Sequence, residues 1–187
     1  MPLLIAWRDA LREEDPAAVG DIVRSTGVFR PDEAEVAVEL AQTALRDGAA
    51  PGYHFLFAHP EGDGPGRPPA GYACYGPIPC TVRRFDLYWI AVAKGHQGQG
   101  LGQAILAEAL RRMARLGARR CYAETSGTAP YAPTRRFYEK GGGKEAARVP
   151  GYYGDGDDLV MYAWEMDTGA KEKWTMENGG STANSTS

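Results

Sequence analysis

Apolar positions recur along this chain at two spacings, every second residue and every third or fourth, and the two patterns alternate. Leu3 to Arg8 reads as a strand. Asp15-Pro16 opens a helix, with Asp15 as its N-cap and Pro16 at the first helical position. Val19, Ile22 and Val23 supply its apolar face, and Gly27 lies beyond its end. A second helix is predicted from about Asp32 to Arg46, where Val36, Leu40, Ala44 and Leu45 recur at helical spacing before Gly48. Tyr53 to His59 and Ala70 to Tyr75 read as a hairpin whose tip, Pro60 to Pro69, is dense in Gly and Pro. Phe85 to Ala93 is nearly continuously apolar, which predicts a central strand buried on both faces.

A glycine-rich turn, Lys94 to Gly102, leads into a helix from about Gly100 to Leu116. Its stripe is Ile105, Leu106, Ala109, Leu110, Met113 and Leu116. Arg120 to Thr125 reads as a strand and Pro133 to Lys140 as a short helix. Glu145 to Tyr153 and Leu159 to Met166 form a last pair of strands around Gly154-Asp155-Gly156-Asp157. The expected fold class is α/β (α+β) with a mixed sheet: antiparallel strands lead, a strand–turn–helix sits at the centre, and helices cover both faces. Residues 1–169 are expected to form one domain, and the polar, low-complexity residues 170–187 a disordered tail.

Composition excludes more than it assigns. The 187 residues suffice for one domain with a real core. A net charge of -3 gives no electrostatic case for nucleic acid or an anionic membrane as partner. No apolar run is long enough to span a bilayer, and the apolar start is too short for a signal-peptide core. The cysteines, Cys74, Cys80 and Cys121, include no Cys-x-x-Cys pair, and His54, His59 and His96 lack metal-ligand spacing. No disulfide framework and no metal site are expected, and a reducing cytoplasm is the expected location.

The chemistry concentrates in Gln97-Gly98-Gln99-Gly100-Leu101-Gly102, where a buried strand turns into an amphipathic helix. The first turn of a helix carries N–H groups without intrahelical partners, and the helix dipole adds positive charge there. An anion gains several hydrogen bonds at such a place, and glycines let it come close. The spacing is neither the dinucleotide G-x-G-x-x-G nor a P-loop, which needs Gly-Lys-Ser/Thr. It does fit Q/R-x-x-G-x-G/A, and in this the stretch resembles the acetyl-CoA signature of the GCN5-related N-acetyltransferase (GNAT) family. The resemblance implies that fold, with a central, mostly antiparallel six- to seven-stranded sheet flanked by helices. It also implies that the turn amides hold the CoA pyrophosphate, that Ile90, Ala91 and Val92 pair with the pantetheine arm, and that one of their N–H groups meets the thioester carbonyl. The resemblance also makes a homodimer a candidate assembly.

A second stretch, Tyr131 to Gly142 with Tyr138-Glu139-Lys140-Gly141, resembles the family's second motif. Acetyl transfer from CoA to an amine expels a thiolate, and a phenol (pKa ~10) can protonate a thiolate (pKa ~8.5). By resemblance Tyr138 is that acid, with Tyr131 the runner-up, and Tyr131 and Thr134 join Tyr138 as CoA contacts. Tyr131 stands where many members have Asn, and Thr134 where they have Ala.

The acceptor amine must lose a proton before it attacks, and a carboxylate is the usual base. Glu124 is the first candidate and Asp86 the second. Phe29, Glu33, Tyr88, Tyr152, Tyr153 and Asp155 are candidates for an aromatic, partly acidic acceptor pocket suited to a cationic amine. No Cys or Ser sits in a nucleophile context, so direct attack is expected. Two alternatives remain at this point: a non-catalytic acetyl-CoA-binding domain on the same fold, and an acyltransferase using another acyl-CoA.

Overall fold

The structure is a computed structural model that describes residues 4–48, 52–61 and 67–166. The proposed tail, residues 170–187, lies outside them. In chain order the elements are β1 (Ile5–Arg8), α1 (Asp15–Thr26), α2 (Pro31–Asp47), β2 (His54–Pro60), β3 (Gly71–Pro77), β4 (Arg84–Val92), α3 (Leu101–Arg115), β5 (Arg120–Ser126), α4 (Ala132–Lys140), β6 (Lys144–Gly154) and β7 (Asp157–Glu165). Single 3₁₀ turns, Lys94–His96 and Ala129–Tyr131, precede α3 and α4. The seven strands form one sheet in the order β1-β2-β3-β4-β5-β7-β6. All neighbours run antiparallel except β4 and β5. None of the described helices is long and apolar enough to cross a membrane.

Helices cover both faces of this sheet, as the alternation of strand side chains requires. On one face α1 and α2 pack Val19, Ile22, Val23 and a row of alanines against Phe55, Phe57, Tyr72 and Cys74. On the other, α3 and α4 pack Ile105, Leu106, Met113 and Tyr138 against Leu56, Leu87, Ala123, Tyr162 and Trp164.

Two sequence expectations are corrected here. The buried face of α2 is Ala34, Ala37, Ala41 and Ala44, while Val36 and Leu45 point outward at 49% and 37% exposure. Small residues let α2 approach α1, where a Cβ on Gly20 would already meet Val38 Cγ2 at 2.9 Å. Asp15 does not cap α1, whose N-cap position is Glu14. Its carboxylate is buried and accepts two hydrogen bonds from Arg8, at 2.7 and 2.8 Å, and one from the Arg12 N–H at 2.7 Å.

The central strand departs most from expectation. Phe85, Leu87 and Ala91 are buried, but Tyr88, Trp89, Ile90 and Val92 are only half-buried. The reason is pairing. β4 pairs with β5 only over Arg84–Asp86, opposite Arg120–Tyr122, and beyond that no ladder joins the two strands. A bulge adds to this: Cys74 pairs with Trp89 but Tyr75 with Leu87, so Tyr88 is an extra residue on β4. Alternation breaks there, and Tyr88 and Trp89 both turn toward the α1–α2 layer.

Candidate active site

Where β4 and β5 separate, a cavity of about 800 Å³ opens. Its floor is the unpaired side of β4, from Tyr88 to Val92. The Ala93 N–H donates to Ala70 O at 2.8 Å, so strict alternation turns Trp89 and Ala91 toward β3 and the N–H and C=O of Ile90 and Val92 toward the gap. The gap thus offers unpaired backbone donors along the strand, the feature a bound carbonyl or amide chain needs.

At one end the cavity meets the start of α3. Gln97, Gly98, Gly100, Gly102 and Gln103 line it. Gly98 and Gly100 hold φ of 76° and 86°, a region that favours glycine, and a Cβ on either would meet nothing within 4 Å. The turn is therefore an open cradle in front of the first N–H groups of a 15-residue helix. Gly102 serves packing instead: a Cβ there would lie 3.2 Å from Phe137 Cε2. Among the other residues of this turn, Gln97 donates its side-chain amide to Val92 O at 3.0 Å and ties the turn to the strand end. Gln99 is exposed and bonds Gly95 O at 3.4 Å. The Leu101 side chain is buried in the core, so only its backbone can face a ligand.

Helix α4 forms the adjoining wall, with Pro133, Thr134, Arg136, Phe137, Tyr138 and Lys140. Arg135 anchors it by donating to Ser126 O at 2.6 Å and Thr128 O at 2.9 Å. Tyr138 is 6% exposed and packs against Phe137, Tyr162 and Trp164. Burial pushes its phenol well above the ordinary tyrosine range, so it is firmly protonated at neutral pH. Among the described residues its hydroxyl has no hydrogen-bond partner. Arg136 and Lys140, one helical turn apart, form no ion pair among the described residues. Sequence reading passed over both and Gln103; the signal available was a cation pair at i, i+4 on the helix that carries Tyr138.

The opposite end is built by the α1–α2 junction, the end of β5 and the β6–β7 hairpin. It brings together Phe29, Glu33, Tyr88, Glu124, Tyr131, Tyr153 and Asp157. Tyr152 and Asp155, also candidates, do not line it. The Tyr131 hydroxyl reaches across to both oxygens of Glu33, at 3.0 and 3.2 Å, and Glu33 also accepts the Arg30 N–H at 2.7 Å. Burial and the Glu33 charge raise the Tyr131 phenol to about 12. Asp157 accepts a bond from the Ser126 hydroxyl at 2.6 Å. Cys121 and Ala123 turn into the α3–α4 core, so alternation turns Glu124 to the other face. Glu124 has no cationic partner among the described residues, and Asp86 lies close enough to feel its charge.

A mixed sheet split at its one parallel pair, with a helix N-terminus opening into the split, is the architecture of an acyl-CoA-dependent acyltransferase. The sequence matches the acetyltransferase (GNAT) family over residues 8–143, and the chain belongs to that family. A GNAT-family protein of Desulfovibrio desulfuricans is 48% identical, with a TM-score of 0.81, over 87% of this chain and 99% of that one. The fold is shared with the ribosomal-protein-S18-alanine N-acetyltransferase of Escherichia coli (19% identity, TM-score 0.67, covering 92% of this chain and 100% of that one). It is also shared with a Salmonella typhimurium protein solved with its cofactor acetyl-CoA (20% identity, TM-score 0.65, 92% and 99%). No curated protein matches the sequence.

Proposed function

We propose that this acetyltransferase moves the acetyl group of acetyl-CoA directly onto a primary amine, without a covalent enzyme intermediate. The observation that carries the reading is the convergence of three features on one cavity: the Gly98–Gly100 cradle, the unpaired edge of β4, and Tyr138. The cradle and the Arg136 and Lys140 charges suit the phosphates of CoA. Ile90, Ala91 and Val92, with Tyr131 and Thr134, would flank the pantetheine arm.

In the reaction the amine nitrogen bonds to the acetyl carbon and the carbon–sulfur bond breaks. A β4 N–H, from Ile90 or Val92, donates to the carbonyl oxygen as it gains charge, and one such donor is worth ~3 kcal/mol. Tyr138 gives its proton to the departing sulfur. Burial that raises the Tyr138 phenol also raises the nearby Cys121 thiol, so a thiolate formed in the same surroundings is equally keen for a proton. Glu124, directly or through water, takes the proton that the acceptor ammonium must shed. The catalytic domain is taken as residues 1–169.

The test is the melting temperature with and without acetyl-CoA, followed by thiol release on adding amines. A ligand at 100 times its Kd should add about 2.7 kcal/mol of stability. An unchanged melting temperature at saturating acetyl-CoA would remove the proposal.

A further inference from the structure

The cavity is electrically divided. Its cations, Arg136 and Lys140, stand on α4 beside the α3 cradle. Its carboxylates, Glu33, Glu124 and Asp157, stand at the other end. Arg30 also lines that end; its guanidinium is held by both carboxylate oxygens of Asp32, each at 3.1 Å, and its charge also reaches Glu33. The three cavity carboxylates come from three separate elements, α2, β5 and β7, and line the same cavity as the Tyr153 phenol. Tyr153 is raised to about 12 by burial first, then by Glu124, Tyr152, Asp157 and Glu33. Hydroxyls hold two of the three in place, Tyr131 on Glu33 and Ser126 on Asp157.

One acidic group suffices to deprotonate an attacking amine. That amine is neutral when it attacks, so it cannot balance any of the remaining negative charge. Glu33 and Asp157 are partly buried and Glu124 is exposed, and three carboxylates lining one end of a cavity favour a cation that stays charged throughout the reaction. Aromatic walls from Phe29, Tyr88 and Tyr153 suit both such a cation and an alkyl linker. Resting on the acetyltransferase reading above, we propose that the acceptor is an aliphatic amine with a second nitrogen that stays protonated through the reaction, the chemistry of a diamine or polyamine, and that Glu33 binds that nitrogen. Tyr131 is then a positioning residue, since it reaches the acceptor only through Glu33. An acceptor with a free carboxylate, such as a simple α-amino acid, is repelled from this end.

The test compares kcat/KM for 1,4-diaminobutane and spermidine with that for butylamine, glycine and a dipeptide amide whose only amine is its N-terminus, at saturating acetyl-CoA and low salt. The acetyl-CoA-induced rise in melting temperature is measured alongside. The expected result is at least a tenfold preference for the diamine over butylamine. Glu33→Gln, which keeps the hydrogen bonds to Arg30 and Tyr131 in reach, should collapse that ratio toward one, and 0.5 M salt should shrink it. Tyr131→Phe should raise the KM for the diamine more than it lowers kcat. With the acetyl-CoA rise present, equal use of butylamine, preference for glycine, or acetylation of the dipeptide alone would overturn the dication proposal and leave the acetyltransferase reading standing. Absence of the acetyl-CoA rise would overturn both.

Discussion

Asp86 and Glu124 stand on the same face of the sheet, on either side of the point at which β4 and β5 separate, and the charge of Glu124 acts on the Asp86 carboxyl. Asp86 pairs with Tyr122 in the last rung of the parallel ladder, and Glu124 follows two residues later, on the same face. Burial, and then the Glu124 charge, raise Asp86 to about 6. An acid whose pKa is higher folded than unfolded binds more protons in the folded state between the two values, ~3.9 and about 6. Stability from this group is therefore present at low pH and lost as pH rises through that window. Asp86→Asn removes the titration, so it should stabilise the protein more at pH 8 than at pH 4.5, by about 1–2 kcal/mol after allowing for partial exposure. Urea denaturation at the two pH values checks this, and an equal effect at both would show that Asp86 does not titrate there. Glu124→Gln should narrow the window by lowering the Asp86 pKa.

Tyr138→Phe separates packing from chemistry. The ring contacts with Phe137, Tyr162 and Trp164 survive the change, and among the described residues no hydrogen bond is lost. Stability should stay within about 1 kcal/mol and the acetyl-CoA-induced rise in melting temperature should persist. Turnover should fall by a factor on the order of 10²–10⁴, the usual worth of a positioned acid. Undiminished thiol release would take Tyr138 out of the mechanism.

The glycines of the turn divide by what each is for. Gly100→Ala meets open space but forces a φ of 86° on a residue with a Cβ, costing about 1 kcal/mol. Its melting temperature should drop slightly while acetyl-CoA still binds. Gly100→Glu adds a carboxylate in front of the α3 N-terminus and should abolish the acetyl-CoA-induced rise. Gly102→Val should instead lower the melting temperature of the free protein, because its added atoms run into Phe137. If Gly100→Glu leaves the rise intact, the cradle does not hold the CoA phosphates.

The elements of the fold were legible because their signals are local. The Gln97–Gly102 turn announces itself by glycines between an apolar strand and an amphipathic helix, and α3 runs where its stripe predicts except at Leu116, which lies just past its end and is 52% exposed. What escaped the sequence depends on partners far along the chain. The bulge at Tyr88 exists only in the register between β3 and β4, and the half-burial of Ile90 and Val92 only in the failure of β5 to follow β4. Hydrophobicity ranks Val36 and Leu45 above alanines as core, yet the closeness of α1 selects the alanines. The cavity cations Arg136 and Lys140 look like any solvated helix face until α3 is placed beside α4. At the end of the cavity away from the α3 cradle, Glu33 and Tyr131 are separated by 98 residues, and no spacing rule joins them.

The buried pair at the start of the chain offers a last, purely structural test. Asp15 is 1% exposed, and its partner Arg8 stacks over Phe57 at 4.4 Å while donating two hydrogen bonds to Asp15 and a third to Ala10 O. Removing one member leaves the other charged, desolvated and unpaired, which costs about 3–5 kcal/mol. Asp15→Ala should lose that much stability, and it also strips the Arg12 N–H of its acceptor. Arg8→Met with Asp15→Leu removes both charges and should recover most of the loss, because a buried ion pair contributes little beyond its apolar replacement. The pair sits on β1 and the start of α1, outside the cavity wall, so neither variant should change the KM for acetyl-CoA. Chemical denaturation of the single and double variants gives the coupling directly. A double variant no more stable than Asp15→Ala would mean that the carboxylate is needed for its hold on the Arg12 N–H rather than for its charge.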